Sequence, residues 1–181
     1  MNKIALTIDD KSIVVDRGIT ILEAALQNDI YIPHLCYHPD LKPVGVCRLC
    51  LVEIEGKLVP SCLTPVEQGM VVRTRSPEID ETRRIIVELL IANHHTDCRH
   101  CPKTGHCELQ RIMAYLHVSA KRMRPLRLAK EELPKDTSNS FFDYDPNKCV
   151  LCGICVRTCE NKQKEKTGVG VNQFQLPLSD I

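Results

Sequence analysis

Tryptophan is absent from the 181 residues, and the three aromatic types together make up only 4% of them. A chain so poor in large rings builds a thin core, and small modules of that kind are often held together by metal. An excess of charge of one sign is also missing. Lys plus Arg number 24 against 23 Asp plus Glu, for a net charge of +1. That balance gives no footing for nucleic acid or for an anionic membrane. No apolar run is long enough to cross a bilayer, and the N-terminus, MNKIALTIDD, lacks the apolar stretch of a secretory signal. Glycine is scarce, at eight. None of these glycines form the G-x-G-x-x-G of a dinucleotide site, and no P-loop is present. No nucleophile–base constellation stands out. The expectation is a cytoplasmic protein whose thiols stay reduced.

Cysteine is what the chain does have: eleven of them. They fall into three sets. Cys36, Cys47, Cys50 and Cys62 follow the spacing C-x10-C-x2-C-x11-C. His94, Cys98, Cys101 and Cys107 follow H-x3-C-x2-C-x5-C. Cys149, Cys152, Cys155 and Cys159 follow C-x2-C-x2-C-x3-C. With His94 as the twelfth ligand, no thiol is left over. Soft thiolates and imidazole packed this closely make metal-ligand sets, whereas a disulfide framework suits short secreted chains.

The third set is the sharpest signal. It has the bacterial ferredoxin spacing for a [4Fe–4S] cluster, with Glu160 where proline is usual. In two-cluster ferredoxins the fourth cysteine of such a run serves the other cluster. No cysteine follows Cys159, so either Cys159 completes a local cluster or a partner chain supplies a ligand. The first set shares the central C-x2-C of the plant-type [2Fe–2S] signature but has a longer first gap. Which two cysteines share an iron is not legible, and a four-cysteine zinc site remains the alternative. Cys36-Tyr-His38 begins like a Rieske pair, but Cys47 and Cys50 provide no matching C-x2-H, so His34 and His38 read as loop residues. Gly45 stands two residues before Cys47, where it would let backbone N–H groups approach sulfur. In the middle set His95 competes with His94, since both precede Cys98. His100, His106 and His117 read as surface or supporting residues.

The order of elements predicts an α+β chain. Residues 3–9 and 11–15 alternate as a hairpin. Thr20 and Glu23 form a capping box that opens a helix ending near Asn28. Residues 50–55 and 70–75 are further strands, so the opening is that of a β-grasp. Ser76-Pro77 starts a second helix, with Ile79, Ile86, Leu89, Leu90 and Asn93 in helical spacing, and it delivers His94 at its end. A third helix runs from Cys107 to about Leu116, with Leu109, Ile112, Met113 and Leu116 on one face. Residues 118–147 read as a connector. Within it Lys121, Arg122, Arg124, Arg127 and Lys130 form a basic run, either a solvated face or a docking surface for a partner subunit.

Four stretches carry a family resemblance: PHLCYHPDLKPVGVCRLCLVEI, LVPSCLTPVEQGMVVRTRS, ELLIANHHTDCRHCPKTGHCELQ and NKCVLCGICVRTCE. Over about residues 1–160 the chain resembles the N-terminal iron–sulfur region of three proteins. These are the complex I large subunit, the multicluster [FeFe]-hydrogenases and the small diaphorase subunit of NAD-linked hydrogenases. The resemblance implies a [2Fe–2S] β-grasp, ferredoxin-like domain over residues 1–75, with Cys36, Cys47, Cys50 and Cys62 as ligands. It implies a small helical domain over 76–117 whose His94, Cys98, Cys101 and Cys107 hold a [4Fe–4S] cluster, and the H-x3-C pattern selects His94. After the connector it implies a bacterial-ferredoxin-like half-module over 148–181, where a second [4Fe–4S] cluster sits near Cys149, Cys152 and Cys155, with Cys159 the unsettled fourth. Relatives continue into a second ferredoxin run and a catalytic domain, neither of which is found here, so hydrogen chemistry is not expected of this polypeptide. The chain also resembles the truncated hydrogenase-like subunit of Sporomusa-type electron-bifurcating transhydrogenases. The implied role is a non-catalytic electron-transfer subunit in a hetero-oligomer. Its implied partners are flavin- and NAD(P)-binding iron–sulfur subunits and ferredoxin, and neither nucleic acid nor membrane. A zinc-bound structural or regulatory module, and a catalytic fragment of a hydrogenase or formate dehydrogenase complex, are the competing readings.

Overall fold

The structure is a computed structural model that describes residues 3–94, 97–119 and 132–167, with side chains described up to residue 161. The basic run at 121–130 and His95 lie outside the described residues.

The chain opens with β1 (Lys3–Ile8) and β2 (Lys11–Asp16), paired antiparallel with Ile8 opposite Lys11. Ile4, Leu6 and Ile8 alternate inward from β1, and Ile13 and Val15 from β2. The two-residue turn requires Asp9 in the left-handed region, φ 52°. Aspartate tolerates that conformation, and here its carboxylate also accepts from the Thr74 backbone N–H (2.7 Å) and hydroxyl (2.8 Å). The expected capping box is present: Glu23 N–H donates to Thr20 Oγ1, Thr20 N–H donates to Glu23 Oε2, and α1 (Ile21–Gln27) follows. Its Ile21, Leu22, Ala24 and Ala25 pack on the sheet.

β3 (Leu51–Ile54) pairs antiparallel with β4 (Lys57–Pro60), and β5 (Val71–Val72) runs parallel to β1. One residue beyond β5, Arg73 exchanges both backbone hydrogen bonds with Glu53, at 2.9 Å each, which stitches the β3–β4 hairpin to the three-stranded sheet β2-β1-β5. The strand expected over 70–75 is thus only two residues long, because Arg73 leaves β1 to bond β3. The β4 strand was not foreseen.

Among the described residues, three further α-helices follow β5. Ser76 caps α2 (Pro77–Asn93) through Ile79 N–H at 3.2 Å, and α3 (Glu108–Tyr115) packs against it. Leu109, Ile112 and Leu116 are buried, as their spacing predicts. The buried face of α2 differs from the expected one: Ile79, Arg83, Val87 and Ile91 face inward, whereas Leu89 is 63% exposed. Leu35 and Leu49, from the loop between α1 and β3, join Val87, Ile91, Leu109, Ile112 and Leu116 in a second apolar core. Tyr31 adds a polar joint, donating its hydroxyl to Glu108 at 2.9 Å while Arg111 lies 4.0 Å over its ring. The last helix, α4 (Ile154–Thr167), begins just before Cys155. Among the described residues no helix is long and apolar enough to cross a membrane.

Candidate metal centres

The loop from Pro33 to Cys50 folds back on itself, and two of its residues, Gly45 (φ 64°) and Arg48 (φ 55°), take left-handed backbone. The positive φ of Gly45 favours glycine, and a Cβ there would stand 2.5 Å from Leu63 Cδ1 and displace the end of that side chain. Packing Gly45 on Leu63 closes the loop beside Cys62. Cys36, Cys50 and Cys62 are buried, and Cys47 is half-buried.

The four thiols act on one another as two close pairs, Cys36 with Cys47 and Cys50 with Cys62. The neighbouring thiol pushes Cys36 and Cys62 up, with burial acting in the same direction, and pulls Cys47 and Cys50 down. The pairs also feel each other: Cys47 acts electrostatically on Cys50, and Cys36 and Cys47 act on Cys62. Nearby backbone groups of Cys47 and Val46 lower the Cys36 pKa, and those of Leu49, Leu35 and Cys36 lower that of Cys47. N–H groups converging on thiolates favour their anionic form and suit cluster sulfur. His34 turns away into the loop, its Nδ1 2.8 Å from the Ile32 carbonyl oxygen, and His38 Nδ1 accepts from Asp40 N–H.

Beneath this loop sits Arg83, with no exposed surface. Its Nε donates to the Leu49 carbonyl (3.0 Å), Nη2 to Leu51 (2.6 Å) and Nη1 to Thr74 (3.0 Å). The guanidinium thereby grips the backbone on both sides of Cys50. Because a trans peptide points its N–H opposite to its C=O, fixing the Leu49 carbonyl also fixes the Cys50 N–H. Burial pulls the Arg83 pKa down. Sequence reasoning missed this residue, since an arginine within a charged helix reads as solvent-facing; its place four residues after Ile79 and four before Val87 was the available signal.

The middle set lies at helix ends. His94 is the C-cap of α2, and Cys107 is the N-cap of α3. Between them Cys98 opens a 3-10 turn, Cys101 N–H donates to the Cys98 carbonyl, and Thr104 N–H donates to the Cys101 carbonyl. Thr104 Oγ1 also donates to the Cys98 carbonyl. The three cysteines are half-buried. His100 is exposed, with its Nδ1 2.6 Å from Asp97 Oδ2.

In the third set Leu151 and Gly153 take left-handed backbone (φ 55° and 67°), which curls the chain around Cys149, and Leu151 N–H donates to its sulfur at 3.4 Å. Tyr144 lies beside the same cysteine, and burial together with that thiol pushes its pKa up. Cys149 and Cys152 are half-buried, while Cys155 and Cys159 are exposed one turn apart on α4. Arg157 stands between them. It donates Nη1 to the Lys42 carbonyl at 3.0 Å and Nη2 to the Cys36 carbonyl, and its Nε is buried with no hydrogen-bond acceptor among the described residues. A buried N–H without an acceptor costs about 1–3 kcal/mol, and cluster sulfur is an acceptor of the kind it needs. The chemistry of the donors, eleven thiols and one imidazole, fits iron–sulfur groups. Among the described residues no three His, Cys, Asp or Glu side chains gather as a site for one ion. One member of each set packs against the second apolar core: Cys47, Cys107 and Cys152.

Comparison with known proteins agrees with this picture. Residues 1–77 match the 2Fe-2S iron-sulfur cluster binding domain, and residues 83–122 match the NADH-ubiquinone oxidoreductase-G iron-sulfur binding region. The gamma subunit of NAD-reducing hydrogenase HoxS from Cupriavidus necator is 31% identical over 88% of this chain and 67% of its own length. The G 2 subunit of NADH-quinone oxidoreductase from Rhizobium meliloti is 44% identical over 87% of this chain. The HndD subunit of the NADP-reducing hydrogenase from Solidesulfovibrio fructosivorans is 38% identical over 99% of this chain. The match spans only 18% and 33% of those last two proteins. A chain in the crystal structure of the NAD+-reducing [NiFe]-hydrogenase in the H2-reduced state superposes with a TM-score of 0.78 at 38% identity, over 90% of this chain and 68% of that one.

Proposed function

Since the chain belongs to the iron–sulfur family that joins the gamma subunit of NAD-reducing hydrogenase to proteins with the NADH-ubiquinone oxidoreductase-G iron-sulfur binding region, we propose that it is the electron-carrying subunit of a multisubunit NAD(P)-linked oxidoreductase. It passes single electrons between a flavoprotein partner and another redox subunit, in the cytoplasm, without catalysis of its own. In this reading Cys36, Cys47, Cys50 and Cys62 hold one [2Fe–2S] cluster. His94, Cys98, Cys101 and Cys107 hold a [4Fe–4S] cluster, and Cys149, Cys152, Cys155 and Cys159 hold a second, as a half-module of ferredoxin type. Bound clusters supply one-electron redox chemistry. The protein's own residues bind them, exclude water and direct N–H groups at sulfur.

One observation carries the reading: a single apolar core touches Cys47, Cys107 and Cys152, one from each ligand set. Three sites around one dry core are neighbours, as hopping between clusters requires. The match of residues 1–77 to the 2Fe-2S iron-sulfur cluster binding domain supports two irons over one zinc in the first set. The partners proposed are flavin- and NAD(P)-binding iron–sulfur subunits, with ferredoxin as a further one. The narrower form of the proposal, a Sporomusa-type electron-bifurcating transhydrogenase, rests on motif resemblance alone.

An anaerobic native pull-down with flavin, metal and subunit analysis tests the reading. The expected result is a brown complex containing a flavoprotein, in which NADH or NADPH reduces this chain's clusters. A colourless zinc protein, or an iron protein that no flavoprotein accompanies or reduces, would refute it.

A further inference from the structure

We propose that Arg157 is a positioning residue that locks the C-terminal ligand set against the loop of the first set, and so fixes a direct electron route between the two cluster sites. The inference rests on the cluster assignment above and deepens it.

Arg157 lies on α4 between Cys155 and Cys159, yet its guanidinium reaches 121 residues back along the chain to the carbonyl of Cys36. With its other terminal nitrogen it takes the Lys42 carbonyl at 3.0 Å. Cys36 and Lys42 bracket the turn that follows the first ligand, so one planar group grips both ends of it. A guanidinium does this because its donors are held in a rigid fork; a lysine ammonium is a point donor on a flexible stem. Two further contacts draw the segment inward. Val150 and Cys152 pack against the second apolar core, but apolar contact is non-directional and does not set a register. The guanidinium bonds are directional. They determine how close Cys155 and Cys159, on either side of Arg157, stand to Cys36.

Electron tunnelling falls exponentially with edge-to-edge distance, so a small drift of α4 away from the loop would slow transfer without unloading either cluster. The buried Nε, which has no acceptor among the described residues, adds an N–H directed into the same region. The positive charge of Arg157 also lies between two sites that each become more negative on reduction.

The test uses the full chain purified anaerobically with its clusters, alongside Arg157→Gln and Arg157→Lys. The first readout is microwave-power saturation of the [2Fe–2S] EPR signal, with the [4Fe–4S] clusters reduced and then oxidised. The second is amide hydrogen exchange over residues 36–42. In the native chain a reduced neighbour should relax the [2Fe–2S] signal strongly. Arg157→Gln should keep its iron but lose most of that enhancement, and exchange over 36–42 should quicken. Arg157→Lys should fall between the two. If Arg157→Gln loses its C-terminal cluster, the lysine variant decides, since it keeps the charge but cannot span both carbonyls. Native relaxation and exchange in whichever variant stays loaded would overturn the proposal. A native chain that carries no clusters would instead refute the electron-transfer reading on which it rests.

Discussion

Arg83 and His94 show how single side chains tune the sites. Arg83 is fully buried and satisfies three carbonyls, two of them flanking Cys50. Replacing it with methionine keeps the bulk but orphans those acceptors, at about 1–3 kcal/mol each. The Arg83→Met chain should unfold at lower denaturant, and its [2Fe–2S] midpoint should fall in an EPR redox titration, because a buried positive charge has left. Arg83→Lys, which retains the charge, should recover the midpoint better than the stability. At His94 the reasoning runs the other way. Neutral imidazole in place of thiolate makes a cluster easier to reduce, as in Rieske centres. His94→Cys should therefore lower the midpoint of the middle cluster, and an unchanged midpoint would remove His94 from the ligand set.

At the scale of elements, local chemistry was legible and long-range pairing was not. Thr20 with Glu23, and Ser76 with Pro77, announced α1 and α2 because caps are satisfied by their own neighbours in sequence. The β4 strand was missed because Lys57–Pro60 is short and ends in a proline opposite Leu51, and only the partner strand makes it a strand. The inward face of α2 was misphased for a similar reason. Ile85, Ile86, Leu89 and Leu90 spread apolar groups around the helix, and the true stripe runs through an arginine. The contrast gives a direct check by thermal denaturation of paired variants. Ile91→Ala should cost about 2–5 kcal/mol as a cavity in the second core, whereas Leu89→Ala, on the exposed face, should stay within about 0.5 kcal/mol. Equal effects would mean that α2 is rotated from its described orientation. The four thiols of the first set were singled out from spacing alone, but their pairing depends on how the loop folds, with Gly45 against Leu63.

Across the whole molecule, the two cores are unequal. Among the described residues, fifteen buried ones support the sheet domain, against seven in the core that joins α2 and α3 to the first loop. Metal should contribute most where apolar burial is least. Stripping iron with a chelator should raise hydrogen exchange far more over residues 77–116 than over β1, β2 and α1, and uniform loosening would contradict that division. The central claim concerns the three ligand sets themselves. It is tested most directly by metal analysis and low-temperature EPR of the anaerobically purified full chain. About ten irons per chain, with one [2Fe–2S] and two [4Fe–4S] signals on stepwise reduction, is the predicted result. Stoichiometric zinc with no EPR-active reduced state, or cysteines oxidised to disulfides as isolated, would contradict it.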